Sequence, residues 1–522
     1  MTHYRRRSLV LITALAAVVG PAYTQQPPDL VQSDSRENTA MGTGAMAQAP
    51  ADTYNNTAVG YNALFAGPGG GMCCGGNTAV GSNALSSDTS GWGNTGVGLA
   101  VLYTNDTGNA NSAIGNLALF YNTVGAFNTA SGNWSLRFNV SGNNNTASGA
   151  SALFNNTTGN NNAASGVNAL ACNTTGSYNT AAGPFALSGD ATTGGFPYPQ
   201  CPAGFATGNS NTASGAYALT GNTTGSYNTA SGFQALLGNT TADSNSAFGT
   251  GSLKTNTTGH NNTAIGAESL ASNTTGSYNM ASGSDALENN TTGHDSASFG
   301  VASMFANSTG SYNTAVGNRA LRYNTTGSNN IAVGFGAGLN LTVGSENIDV
   351  GNAGVAGESS TIRIGASSTH HSTYIAGIST AHVTGAAVYV TSTGQLGVLA
   401  SSERYKTAIA PMGATSRRLQ HLRPVTFHLK AEPEGPLQYG LIAEEVNSIY
   451  PELVIRDESG TIQGVRYDEL APLLLNEVQQ QRQALNAQAK QLQQVQRQLA
   501  QLMQQNAARR LPRSTDMPVS RH

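Results

Sequence analysis

The stretch Asn262-Thr-Ala-Ile-Gly266-Ala-Glu-Ser-Leu270-Ala-Ser-Asn273-Thr-Thr-Gly276-Ser-Tyr278 starts again, slightly altered, at Asn279. The glycine of its Asn-Thr-Ala-x-Gly phrase falls at Gly98 and every 17 residues to Gly183, then at Gly215 and every 17 residues to Gly351. The longer gap between Gly183 and Gly215 holds the phrase Phe196-Pro197-Tyr198-Pro199 and Cys201, and a second irregular stretch separates Gly60 from Gly81. A fixed period with insertions at unit boundaries is the signature of a solenoid, because extra residues leave as loops while neighbouring coils stay stacked. Within the unit, Thr-Ala-x and x-Ala-Leu supply short strands. Asn-Thr-Thr-Gly reads as turn chemistry, since Gly and Asn accept positive φ. The fold predicted is mainly β, a parallel β-roll or β-solenoid. One Leu and a few Ala per unit cannot fill a wide core, so the coil is either thin or buries an apolar edge against other copies. At about 4.8 Å per coil, some 18 coils give a rod of roughly 85 Å.

Composition agrees. Charged residues are 10% of the chain and glycine is 63 of 522, against about 25% charged in an average soluble protein. Low charge with regular Gly and Ala points to repetitive β structure rather than disorder. A formal net charge of −3 gives no electrostatic reason to propose nucleic acid or an anionic membrane as partner. Arg5-Arg6-Arg7, the apolar run Leu9 to Val19 and the small residues before Gln25 read as a secretory signal peptide over residues 1–24, too short for a membrane span. The expectation is a secreted or cell-surface protein with no membrane span after signal removal. Export permits disulfides among Cys73, Cys74, Cys172 and Cys201. Cys172 with Cys201 is the favoured pair, since a bridge there would pin the Pro-rich insertion to the repeats; two other pairings stay open. Adjacent Cys73-Cys74 without a nearby His cluster argues against a metal site, and His370-His371 is assigned to a polar loop. No cofactor is expected.

The repeats, over about residues 38 to 365, resemble those of trimeric autotransporter adhesin heads and of bacterial and phage tail-fibre proteins, where Ser/Asn-x-Ala-x-Gly phrases form a parallel β-roll. The resemblance implies a homotrimeric fibre. Regular Thr columns can bind ice and Asn/Thr/Ser ladders can bind a surface glycan or host receptor, but both patterns arise freely from stacking a turn-rich repeat, so scaffold or spacer is the first reading. The many Asn-x-Thr sequons are read as turns.

Beyond Gly365 the 17-residue step stops. Residues 25–365 are read as fibre, 366–400 as a β stem, 401–470 as a small α+β domain, 471–505 as a coiled-coil helix and 506–522 as a disordered tail. In the helix, Val478, Leu485, Leu492 and Leu499 are seven apart, with Val495 and Leu502 completing the seam and Gln481 and Gln488 in its earlier positions. Polar seam residues weaken a coiled coil but select its register and number of strands. A Gln-rich helix has little to bury without copies of itself, so it predicts a homo-oligomer.

Six phrases in this region stand in order: Gly394-Gln395-Leu396-Gly397, Ser401-Ser402-Glu403-Arg404-Tyr405-Lys406, Leu422-Arg423-Pro424-Val425-Thr426-Phe427, Gly440-Leu441-Ile442-Ala443-Glu444-Glu445-Val446, Pro451-Glu452-Leu453-Val454 and Tyr467-Asp468-Glu469-Leu470. They are similar to the intramolecular chaperone auto-processing domain of endosialidases and phage tail spikes. The resemblance implies a domain that trimerises, guides folding of the fibre and then cuts itself off with a serine nucleophile assisted by a lysine. Carried over, the nucleophile is Ser401, the lysine Lys406 and the scissile bond Ala400-Ser401, with Ser402 as runner-up nucleophile. A lysine activates a serine only after losing its own proton, through burial or a positive neighbour such as Arg404. Five residues of one continuous helix would set the two side chains about 140° apart, so Ser401 is expected in extended chain ahead of the helix bearing Lys406. Such a chain is a single-turnover serine endopeptidase acting on itself. The alternatives are an adhesive or glycan-binding fibre with a non-cleaving clasp and a glycan-depolymerising enzyme. Sparse, isolated carboxylates in the repeats speak against the last.

Overall fold

The computed structural model describes residues 32–49, 53–66, 75–189, 201, 208–376, 378, 387–391, 393–457 and 459–509. The expected signal peptide, Cys73, Cys74 and residues 510–522 of the expected tail lie outside them. The chain divides into two compact units, Met1–Thr373 and Tyr374–His522.

The first unit is the solenoid. Its 20-stranded sheet opens with Gln32–Ser33, antiparallel to Thr39–Met41. Every later strand is three residues long and pairs in parallel with the next coil, one strand per coil, to Ile362–Ile364. Pairing register and sequence period coincide: Thr263, Ala264 and Ile265 face Met280, Ala281 and Ser282. Across the insertion Thr180 still faces Thr212. The Cys172–Cys201 disulfide is formed, with Cα atoms 5.4 Å apart, tying the insertion to the coil before it.

The coil is thin, and its interior is only half apolar. The central strand residue and the Leu of the unit, Ala264 and Leu270 in one coil and Ala281 and Leu287 in the next, are fully buried in one continuous column. Beside it run two columns of asparagine, also fully buried. In one, Asn262 Nδ2 donates to Asn245 Oδ1 (3.2 Å) and to the Gly276 carbonyl (2.8 Å). In the other, Asn273 Nδ2 donates to Asn256 Oδ1 (2.7 Å) and to the Gly276 carbonyl (2.9 Å). A buried amide without partners costs about 1–3 kcal/mol; here the same residue one coil away supplies the partner. The Asn of Asn-Thr-Thr-Gly, read from sequence as a turn former, is therefore a core residue.

Each coil bends by placing non-glycine residues in the left-handed region. Glu268, Leu270 and Tyr278 have φ of 55°, 51° and 60°. This costs about 1–2 kcal/mol per residue, and each N–H so aimed bonds a neighbouring coil: Glu268 to Thr250, Leu270 to Ala286 and Tyr278 to His260. Gly266 (φ 128°) could carry no side chain, because a Cβ there would stand 2.5 Å from the Gly283 carbonyl oxygen.

The last coil departs from the rule. Ile348 pairs with Ile362, a step of 14, and Asp349 and Arg363 stand where earlier coils place a small residue, alanine in all but Gly96 and Ser298. Arg363 is paired with Glu358 at 2.7 Å. The Asp349 carboxylate is buried with no hydrogen-bond partner among the described residues, and burial together with nearby Glu358 raises its pKa to about 6.

The second unit has a small core of Val446, Tyr450, Leu453, Val454, Val465 and Leu473. Around it stand two antiparallel hairpins, Val425–Phe427 with Gln438–Gly440 and Val454–Arg456 with Ile462–Val465. The helix Ala443–Ile449 and the 43-residue helix Tyr467–Arg509 complete it. Only the start of the long helix touches the core, where Leu473 is buried. Past it, Val478, Leu485, Leu492, Val495, Leu499 and Leu502 are all more than half exposed.

Candidate functional site

The phrases picked out from sequence fall on the second unit's structural joints. In Gly394-Gln395-Leu396-Gly397 the last two residues form the return strand of a hairpin with Tyr389–Val390 and the first two lie in its turn. Gly440 lacks a side chain because a Cβ there would stand 2.6 Å from the Tyr467 hydroxyl. That hydroxyl accepts the Leu441 N–H at 2.8 Å, locking the first turn of the long helix to the strand. Tyr450, at the end of the shorter helix, donates its hydroxyl to the Thr415 carbonyl (2.9 Å). The Arg418 guanidinium lies 4.2 Å over the Tyr450 ring and pairs with Glu452 at 2.9 Å. Ser416, fully buried, donates to Glu477 (3.0 Å) and accepts from Asn476 (2.7 Å), joining the Gly413–His421 3-10 helix to the long one.

Ser401 stands in irregular chain just ahead of a single 3-10 turn, Glu403–Tyr405. Ser402 is its N-cap in extended conformation (φ −66°, ψ 143°) and makes no side-chain capping bond; Lys406 is the C-cap. Ser401, Ser402 and Lys406 are all exposed, and among the described residues no hydrogen bond joins Ser401 to Lys406. Arg404 lies over the Tyr405 ring, 4.8 Å from its centroid. The chain runs into Ser401 along a cleft of about 980 Å³ lined by Leu399, Ala400, Ile455, Arg456, Arg466 and Glu469, among others. Arg456 and Arg466 escaped the sequence reading. Both have partners on their own unit, Arg456 donating to Asn447 Oδ1 (2.7 Å) and Arg466 pairing with Glu469 (3.1 Å). His370, by contrast, turns back locally, its Nδ1 accepting the Ala366 N–H at 3.0 Å.

Residues 401–455 match the family model of the chaperone of endosialidase. The matched segment starts on Ser401 itself and ends on Ile455, inside the Val454–Arg456 strand. It takes in the 3-10 turn, the first hairpin, the shorter helix and most of the small core. No curated protein matches the chain.

Proposed function

We propose that this chain is an exported, homotrimeric fibre: a solenoid shaft with a C-terminal chaperone that levels three copies, guides their folding and then leaves by cleavage at Ala400-Ser401. The observation that carries the reading is the match of residues 401–455 to the chaperone of endosialidase, beginning at the serine that would be freed. The exposed heptad seam supports it. Six apolar side chains in one row on an otherwise polar helix gain about 1.5–3 kcal/mol each on full burial, and copies of the same helix offer that burial.

The chemistry follows from the exposure of the dyad. In a single chain Ser401 and Lys406 are both exposed and, among the described residues, no hydrogen bond joins them, so Ser401 is unactivated. Assembly supplies what the lysine lacks, a desolvated environment that favours its neutral amine. Neutral Lys406 then takes the proton of Ser401 Oγ as that oxygen attacks the Ala400 carbonyl carbon, and returns it to the departing amine. Water hydrolyses the resulting ester. Cleavage is thereby restricted to assembled fibres.

Mass spectrometry of the full-length protein beside Ser401→Ala, Ser402→Ala and Lys406→Ala is the test. The expected result is a fragment starting at Ser401 in the wild type and in Ser402→Ala, absent from the other two. An intact wild-type chain that assembles leaves the segment as a permanent, non-cleaving clasp and removes the proteolytic half of the proposal.

A further inference from the structure

The first and third residues of the solenoid strands point outward, while the central one is buried in every parallel strand from Thr57–Val59 to Ile348–Val350 and half-buried in the first and last, at Ala40 and Arg363. Read along the rod, these two columns form one flat face with no Asp, Glu, Lys, Arg or His from Thr39 to Ile364. Its character changes in blocks. The five strands from Thr39–Met41 to Ser112–Ile114 each carry one large apolar outward residue. The six from Thr129–Ser131 to Thr229–Ser231 carry none, only Ser, Thr and Ala. The eight from Ser246–Phe248 to Ile362–Ile364 each carry at least one, and the last three carry two. These side chains are uncovered: Phe248 is 43% exposed, Ile114 52% and Ile364 74%.

We infer that this strand face is the surface by which the shafts of separate copies pack, parallel and in register. The inference rests on the homotrimeric reading above and gives that assembly its contact surface. Three arguments favour a second copy as occupant. The first is size. Three residues of about 3.3 Å over nineteen rungs about 4.8 Å apart make a face of roughly 900 Å², and a standard interface takes about 800 Å² from each partner. The second is pattern. The apolar, polar and apolar blocks are unequal in length, so apolar meets apolar throughout only when the partner runs in the same direction at the same level. The third is spacing. A copy of this chain presents side chains at the same rung interval along the whole face, with no charge to desolvate.

Two variants of the full chain that each add one cysteine to the native four, Thr146→Cys and Ser148→Cys, sample both outward columns of one strand, whose flanking residues are exposed. Thr158→Cys, exposed in the turn of the same coil, is the control. With a short bismaleimide, and sedimentation run in parallel, the expected result is a trimer in which at least one face variant gives interchain products in most molecules while the control matches wild type. A trimer in which the face variants cross-link no better than the control overturns the assigned face and leaves the trimer standing. A monomer overturns the trimeric reading and this inference with it.

Discussion

At the scale of the residue, the second asparagine column has one odd member. Asp88 occupies the position that Asn105, Asn122 and their successors hold in later coils. It accepts from the Gly91 N–H (2.9 Å) and from Asn105 Nδ2 (3.1 Å), yet burial outweighs these bonds and raises its pKa to about 8. The folded state therefore holds a proton that the unfolded chain, with its carboxyl near 3.8, has released. Stability is full below about pH 4, falls as pH rises and has lost this contribution above about pH 8. Asp88→Asn keeps the shape and lets the amide donate to the Gly91 carbonyl as its equivalents do. It should raise stability at pH 9 by on the order of 2 kcal/mol and change it little at pH 4, read from denaturation midpoints at the two pH values. None of this was legible in the sequence. Asn and Asp beside Gly carry the statistics of turns, and only the partner 17 residues away turns them into core. The left-handed Leu270 was hidden for the same reason, since its compensating bond reaches the next coil.

At the scale of the element, strands and helices differed in how plainly they showed. The three-residue strands were visible as a period rather than as a propensity, because a strand that short has no alternation to read. The 17-residue step set their number and register, and the insertion before Cys201 left the pairing intact. The C-terminal helix was legible from its seven-residue spacing, and the structure starts it earlier, at Tyr467, because Leu473 and the Tyr467 hydroxyl anchor it in the small core. Ser401 and Lys406 carried no signal of their own; the candidate pair was taken from neighbouring phrases, and both side chains are exposed. The exposed seam yields a direct expectation. Leu485→Ala with Leu492→Ala removes the two apolar seam layers that flank Gln488, at about 2 kcal/mol or more per copy, and should shift the proposed assembly to monomer at micromolar concentration in sedimentation velocity. A single Gln493→Ala on the same helix is the matched control.

At the scale of the whole molecule, near-identical coils imply that length is adjustable in whole units. Deleting residues 262–278 joins Asn261 to Asn279, restores both asparagine ladders and brings the strand Ser246–Phe248 against Met280–Ser282. The shortened protein should fold with the same circular dichroism per residue and a melting temperature within a few degrees of wild type. Removing only 262–269 puts Leu270 in the place of the ladder residue Asn262 and Ala271-Ser272-Asn273 where a strand belongs, and should abolish the cooperative transition. Thermal melts of the two deletions compare them directly, and equal stability would mean that the ladders do not set the register.

A rod made of interchangeable rungs has a hazard that its middle cannot show. Each interior coil is both template and copy, so an unguarded end would accept a coil from any other molecule, and the protein would grow into filaments without limit. Both ends are closed to this. Gln32–Ser33 runs against the direction of the stack and covers the first parallel strand. At the other end the last strand of the shortened coil carries Arg363, paired with Glu358, in its central position, so an incoming coil would meet an ion pair where it needs an apolar seat. Polymerisation is thus refused by a few residues at two edges, and a shaft of defined length is what remains.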